Sequence, residues 1–151
     1  MGKTILLLGI LLLPLSNLVI AQDFYEESIM REVHLDFQQN NWWTLLENNY
    51  GTGIEITADM TVDGITYADV GVRFKGNTSF TRPNTQKKSF NISTNSFVPG
   101  QELMGYSTLN LNNAYMDPSF MREVLFSKAC RSYTTAAKGN FIHLIINNEN
   151  W

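Results

Sequence analysis

Short runs in which apolar and polar residues alternate recur along the chain, and a period of two is typical of β-strands with one buried face. The sequence predicts strands over six such runs: residues 31–37, 54–62, 65–75, 87–93, 107–112 and 141–146. Asp63-Gly64 separates the second run from the third, and this dipeptide favours a two-residue hairpin turn. Val70, Val72 and Phe74 share one face of the third run, so we expect that face to lie in the core.

Two segments have the 3.6-residue period of a helix instead. Residues 42–49 predict a short helix with one apolar side. Residues 117–131 predict one long helix, because Asp117 can cap it and Pro118 suits its first position. Antiparallel strands combined with one long helix indicate an α+β fold.

The N-terminal residues 1–21 are expected to be a cleavable secretory signal peptide. Lys3 supplies a positive start, an apolar run follows, and Val19 and Ala21 occupy the two positions that a signal peptidase reads. Cleavage is therefore predicted between Ala21 and Gln22, and the mature protein is expected to be secreted. The alternative is an uncleaved membrane anchor, but the apolar run is shorter than the roughly 20 residues of a spanning helix, so a stable anchor is not expected.

Composition narrows the class of the mature protein. The chain carries 11 Lys and Arg against 14 Asp and Glu, a net charge of −3 at pH 7, which argues against non-specific binding to nucleic acid. Residues 22–30 are polar and predict a flexible lead-in, whereas residues 31–151 suffice for one domain with its own core. Cys130 is expected to be a small buried hydrophobe. His34 and His143 are expected to be structural, and no metal site is predicted.

The segment 71–93 contains the residues best suited to binding a phosphate group. Gly76 allows the backbone to approach a ligand closely, and Asn77, Thr78 and Ser79 add short hydrogen-bonding side chains beside it. Three lysines bracket this turn with positive charge: Lys75, Lys87 and Lys88. Positive charge and hydrogen-bond donors are what a transferring phosphoryl group requires. The alternative from the residues alone is a structural turn, since neither a P-loop nor a G-x-G-x-x-G pattern is present.

The paired lysines are expected to differ in direction. Adjacent residues of a strand point to opposite faces, so Lys88 should share the apolar face of Phe90 while Lys87 points away. Kinases grip phosphates with a strand lysine that a helix carboxylate orients, and Glu123, next to Arg122, is the candidate carboxylate. The alternative is that Lys88 is half exposed and Glu123 is an ordinary solvated residue.

Four motifs in order, KGNTS, KKSFNI, LNLNN and DPSFMRE, are those of a known family. With them, the chain from about residue 31 to 151 resembles the CotH family of atypical kinases, named after spore coat protein H. The resemblance implies the N-terminal lobe of a secreted, ATP-dependent protein kinase that modifies Ser or Thr of extracellular or coat proteins. It implies ATP with Mg²⁺ or Mn²⁺ as cofactors of the full-length parent, and a nucleotide and a protein substrate as its partners. It also implies that Lys88 contacts nucleotide phosphate, supported by Glu123 or Arg122, while Thr78 replaces a more usual Ser.

The chain is expected to be a truncated N-terminal portion of such a kinase. CotH-like sequences continue further, whereas here the strand that returns after Asn147-Asn148 has barely begun. Such a portion would be inactive and without a cofactor of its own, because the later lobe supplies the acidic metal ligands and the catalytic Asp. The alternative function is a non-catalytic module that binds a protein or a cell-surface polysaccharide through Trp42, Trp43 and Tyr50, although core packing of the tryptophans is favoured.

Overall fold

The structure of the protein is a computed structural model that describes residues 23–82 and 86–151. The expected signal peptide and its cleavage position lie outside the described residues. Strands in chain order are β1 (Arg31–Asp36), β2 (Ile56–Val62), β3 (Ile65–Lys75), β4 (Ser89–Ser93), β5 (Thr108–Leu111), β6 (Ile142–Ile146) and β7 (Glu149–Asn150). Helices are α1 (Trp42–Asn48), α2 (Thr78–Thr81) and α3 (Arg122–Arg131).

The strands form one mixed sheet in the order β5-β4-β3-β2-β1-β6-β7. Every neighbouring pair is antiparallel except β1 and β6, which run parallel with Val33 opposite Leu144. The expectation of antiparallel strands alone is therefore wrong for this pair. A parallel pair needs a long crossover, and here the chain from β2 to α3 forms it. Strand β6 consequently bonds to β1 on one side and to β7 on the other.

One face of the sheet carries the core, as the alternation predicted. Val33, Leu35, Val70 and Val72 are completely buried, and Phe74 is 3 % exposed. The hairpin between β2 and β3 is confirmed too, because both residues of its Asp63-Gly64 turn have positive φ angles, 50° and 78°, as the favoured two-residue turn requires.

The predicted long helix begins five residues later than expected. Phe120 has a φ of 59°, which interrupts a helix. Asp117 closes a turn before it, accepting the backbone N–H groups of Ser119 at 3.1 Å and Arg122 at 2.8 Å. The ten-residue helix α3 that follows has no buried residue, and its Leu125 is 52 % exposed. The short helix α1 lies where it was predicted.

Residues 23–30, expected to be a flexible lead-in, lie against the domain. Phe24 is 4 % exposed and belongs to the core, and the Tyr25 ring meets that of Tyr106 edge-on at 5.0 Å. Arg31 is nearly buried, and its guanidinium donates to the Phe24 carbonyl and to the Asp63 carboxylate. Within the described part of the chain, no helix has both the length and the apolar character to cross a membrane.

Candidate functional site

The strand β3 presents two different faces at its end. Val72 and Phe74 point into the core, so Arg73 and Lys75 point to the opposite, polar face of the sheet. The β-ladder places Asn91 opposite Arg73 and Ser89 opposite Lys75. The polar face beside β3 is therefore built from cationic and neutral polar side chains.

Lys75 is connected to Glu123 through one asparagine. The Lys75 ammonium donates to Asn112 Oδ1 at 3.1 Å, and Asn112 Nδ2 donates to Glu123 Oε1 at 2.6 Å. Burial lowers the pKa of Lys75; the negative charge of Glu123 opposes this shift and the positive charge of Arg73 adds to it. Strand β3 and helix α3 thus supply a lysine and a carboxylate that one amide joins.

The predicted partnership of Glu123 with Lys88 does not occur among the described residues, where no ion pair joins the two. The Lys88 ammonium instead donates to the Phe80 carbonyl at 2.7 Å and lies 5.1 Å from the centre of the Phe80 ring. Lys87 Nζ lies 5.2 Å from the centre of a Trp151 ring. Strand β4 begins only at Ser89, so strand alternation does not govern the direction of either lysine.

The turn after β3 contains one turn of helix. Gly76 has a φ of 92°, and a Cβ at this position would overlap the Ser79 hydroxyl. The Asn77 carbonyl accepts the N–H groups of Phe80 at 3.0 Å and Thr81 at 2.9 Å, which makes the single helical turn α2. The side chains of Asn77 and Thr78 are exposed, and that of Ser79 is half-buried. The Ser79 side chain thus lies against the Cα of Gly76, in the space that a side chain at residue 76 would need.

Asn113 ties this turn to the segment that follows β5. Its Nδ2 donates to the Ser79 carbonyl at 3.1 Å and to the Lys87 carbonyl at 2.7 Å, and its own N–H donates to Ser89 Oγ. The consecutive asparagines after a strand, in the motif LNLNN, could have indicated such a role, but periodicity does not distinguish them from ordinary loop residues. Asn112 and Asn113 are the positioning residues that sequence reasoning missed.

Arg122, predicted to support the phosphate, contacts a different segment. Its side chain is 73 % exposed and lies 3.6 Å from the Asp117 carboxylate, and Nη1 donates to the Met116 carbonyl at 3.2 Å. A hydrogen bond from Ser119 is the main reason that the pKa of Asp117 is lowered, and Arg122 contributes further. The structure therefore brings Glu123, but not Arg122, to the polar face.

The aromatic residues considered for polysaccharide binding pack within the domain. Trp42 stacks on Phe37 with ring centres 4.6 Å apart, and Trp43 meets Phe74 at 4.9 Å. Tyr50 stacks on Phe80, and its hydroxyl donates to the Gly76 carbonyl at 2.5 Å. This confirms the favoured prediction of core packing for the tryptophans.

The two histidines meet at one carboxylate on the polar side of the sheet. Glu32 Oε1 lies 2.6 Å from His34 Nε2, and Glu32 Oε2 lies 3.2 Å from His143 Nδ1. Hydrogen bonding to His34, and then to His143, lowers the pKa of Glu32. The structure groups no three His, Cys, Asp or Glu residues in a way that could hold a metal ion, across residues 23–82 and 86–151.

The geometry defines a mixed α/β domain in which a cationic, polar sheet face meets a helix carboxylate. The family model for the CotH kinase protein matches residues 72–151, a little over half of the chain. The protein belongs to the CotH family. A search among curated proteins found no match.

Proposed function

We propose that this chain is the nucleotide-binding, N-terminal part of a secreted CotH-like kinase that transfers phosphate to Ser or Thr of extracellular or coat proteins. The family match covers β4 to β7 and the end of β3. ATP would supply the phosphoryl group, with Mg²⁺ or Mn²⁺ bound to it. The resemblance implies that the chain alone does not transfer phosphate; that it nevertheless binds nucleotide is part of this proposal and replaces the expectation that it has no cofactor of its own.

The observation that carries this proposal is the connection from Lys75 through Asn112 to Glu123. Kinases need a lysine on a strand near the phosphates and a carboxylate on a helix that keeps it in place. Lys75 and Glu123 occupy such positions on β3 and α3, with 3.1 Å and 2.6 Å hydrogen bonds to the intervening amide. Lys75 is thus the phosphate-gripping lysine in this proposal, replacing Lys88.

The remaining candidates would supply the rest of a phosphate-binding turn. Gly76 would let the backbone approach a phosphate group closely. Asn77 and Thr78 expose short polar side chains beside Lys75. Lys87 and Lys88 lie over the Trp151 and Phe80 rings, which pack on core residues, and they take no part in this proposed turn. The alternative function, a module that binds a protein or polysaccharide, has no comparable support. The aromatic rings proposed for it, those of Trp42, Trp43 and Tyr50, pack on other rings within the domain.

Lys75→Gln tests the proposal in the purified chain. We expect ATP affinity, measured by calorimetry with Mg²⁺ present, to fall about ten- to a hundredfold, since a charge-assisted contact is typically worth about 1.5–3 kcal/mol. Lys128→Gln is the matched control, because this exposed lysine pairs with Glu27 on another surface. Thermal melts establish that both variants fold. ATP binding that is absent from the wild-type chain, or equal in the wild type and Lys75→Gln, contradicts the proposal.

A further inference from the structure

Arg73 and Lys75 are two residues apart on the same face of β3. Residues i and i+2 of a strand share a face and lie about 6.6 Å apart along it. The two positive charges are close enough that Arg73 contributes to the lowered pKa of Lys75. Two neighbouring like charges on a partly desolvated surface are unfavourable, and an anion bound between them removes this repulsion.

The Arg73 guanidinium forms an ion pair with the Glu55 carboxylate. Arg73 Nε lies 3.6 Å from Glu55 Oε1, and the same oxygen accepts the Ser93 hydroxyl at 2.7 Å. The Glu55 side chain is only 13 % exposed, whereas that of Arg73 is 40 % exposed. The absence of a side chain at Gly71 makes room for the carboxylate, since a Cβ there would overlap Glu55. Arg73 is therefore oriented by a fixed carboxylate and still reaches solvent.

The strand residues beside the two cations are polar, nearly buried and joined to neighbouring segments by hydrogen bonds. Asn91, opposite Arg73, is 6 % exposed and donates to Asn110 Oδ1 at 3.1 Å. Ser89, opposite Lys75, is 2 % exposed and accepts the Asn113 N–H at 3.1 Å. Lysine and arginine side chains on such a face can bind an extended anion without burying it in an apolar surface.

The loop lysines belong to the other side of the sheet. Lys88 lies over Phe80, whose ring packs 5.5 Å from that of core residue Phe74. Lys87 lies over Trp151, which packs on core residue Phe90. An anion held by Arg73 and Lys75 thus contacts the face opposite these rings.

We propose that Arg73 and Lys75 together bind a polyphosphate group on the polar face of β3, and that Arg73 is a phosphate-binding residue of this protein. The inference rests on the proposed function, because it takes the phosphate chain of a nucleotide as the ligand. Inorganic polyphosphate has the same chemistry, so the experiment includes both sources. A guanidinium suits this role because its planar donors can bind two phosphate oxygens at once.

The test compares Arg73→Gln, Arg73→Lys and Lys88→Gln with the wild-type chain, using ATP, sodium tripolyphosphate and adenosine as probes. Binding is measured by calorimetry, and thermal melts establish folding. Arg131→Gln is the matched arginine control, because Arg131 pairs with Glu27 away from β3. Arg73→Gln is expected to weaken both phosphate probes by about tenfold or more. Arg73→Lys should recover part of that loss because it keeps the charge, and Lys88→Gln should change little.

The outcomes separate this inference from the proposed function. If Lys75→Gln or Lys88→Gln loses ATP binding and Arg73→Gln binds ATP as tightly as the wild type, the role of Arg73 is overturned. Nucleotide binding by the chain then still stands. A second outcome is that tripolyphosphate binds through Arg73, ATP binds no more tightly than tripolyphosphate, and adenosine does not bind. This result supports the anion site but identifies inorganic polyphosphate, and not a nucleotide, as its ligand. Equal binding of both phosphate probes in the wild type and in all Arg73 variants refutes the inference.

Discussion

Asparagine amides make the polar connections around the candidate site. An amide side chain both donates and accepts, so Asn112 can accept from the Lys75 ammonium and donate to the Glu123 carboxylate. Asn113 uses its two donors for the carbonyls at both ends of the turn between β3 and β4. A direct ion pair would bring the two charges into contact, whereas here the intervening amide separates the Lys75 ammonium from the Glu123 carboxylate.

Gly76 provides a prediction at the scale of single residues. Gly76→Ala should destabilise the domain by about 1–3 kcal/mol, because a residue with a side chain is strained at this φ and its Cβ would overlap the Ser79 hydroxyl. Urea unfolding measures the effect. Gly53→Ala is the matched control, since Gly53 has a φ of 82° but no atom within 4 Å of its added Cβ.

A second experiment, with Ser79→Ala, separates backbone strain at residue 76 from overlap with the Ser79 hydroxyl. Adding Gly76→Ala to a Ser79→Ala background should cost no more than Gly53→Ala does, because the overlapping atom is then gone. If Gly76→Ala is no more destabilising than Gly53→Ala in the wild-type background, the close approach of Ser79 has no energetic role.

At the scale of elements, the sheet and helix α3 differ in how they are held. The strands bury apolar residues on one continuous face, including Leu109, which is 1 % exposed. Helix α3 has no buried residue and is joined to residues 23–30 by Lys128 and Arg131, which both pair with Glu27. Polar contacts at its surface, and no buried side chain, therefore join α3 to residues 23–30.

Two leucine variants measure this difference. Leu109→Ala should cost about 2–5 kcal/mol of unfolding free energy, as is typical of a buried leucine. Leu125→Ala on α3 should change it by less than about 1 kcal/mol, because the side chain is 52 % exposed and substitutions on the surface are usually small in effect. Chemical denaturation of both variants gives the comparison. A similar loss for both would show that α3 packs against the core in solution.

At the scale of the whole molecule, an ion pair connects the start of the described chain to the segment before β6. Lys138 donates to the carboxylate of Asp23, 115 residues earlier, and to the Tyr106 hydroxyl at 3.0 Å. The hydrogen bond from Lys138, then that from the Tyr25 N–H, lowers the pKa of Asp23 from 3.8 to about 2. The segment before β1 is thereby joined to the segment before β6. Strands β1 and β6 are the two that form the parallel pair.

This contact predicts a pH dependence. Because the folded-state pKa of Asp23 lies below its usual value, its charged form stabilises the fold above about pH 4, and this contribution is lost as pH falls towards 2. Asp23→Asn should therefore lower the melting temperature at pH 7. The difference from the wild type should shrink between pH 4 and pH 2.

A double-mutant cycle with Lys138→Gln checks the origin of the effect. The coupling between the two positions should be present at pH 7 and should decrease as pH falls from 4 through 2. A difference between Asp23→Asn and the wild type that is constant with pH would mean that the carboxylate charge does not stabilise the fold.

The sequence by itself determined six strands, the short helix α1 and the family. Alternation found the strands and their buried face, because Val70, Val72 and Phe74 can be buried together only on one side of a strand. The Asp63-Gly64 turn followed from local backbone preference alone. Four short motifs were enough to indicate the CotH family.

Only the tertiary structure decided how these elements and side chains meet. The parallel pairing of β1 with β6 joins residues more than 100 positions apart, and no local pattern encodes such a contact. The start of α3 depended on a turn that Asp117 closes in place of a helix cap. The partner of Glu123 depended on where β4 begins, because Lys87 and Lys88 precede the strand and pack on aromatic rings. Lys75 is the last residue of β3, so the sheet fixes the direction of its side chain towards Asn112 and, through it, Glu123.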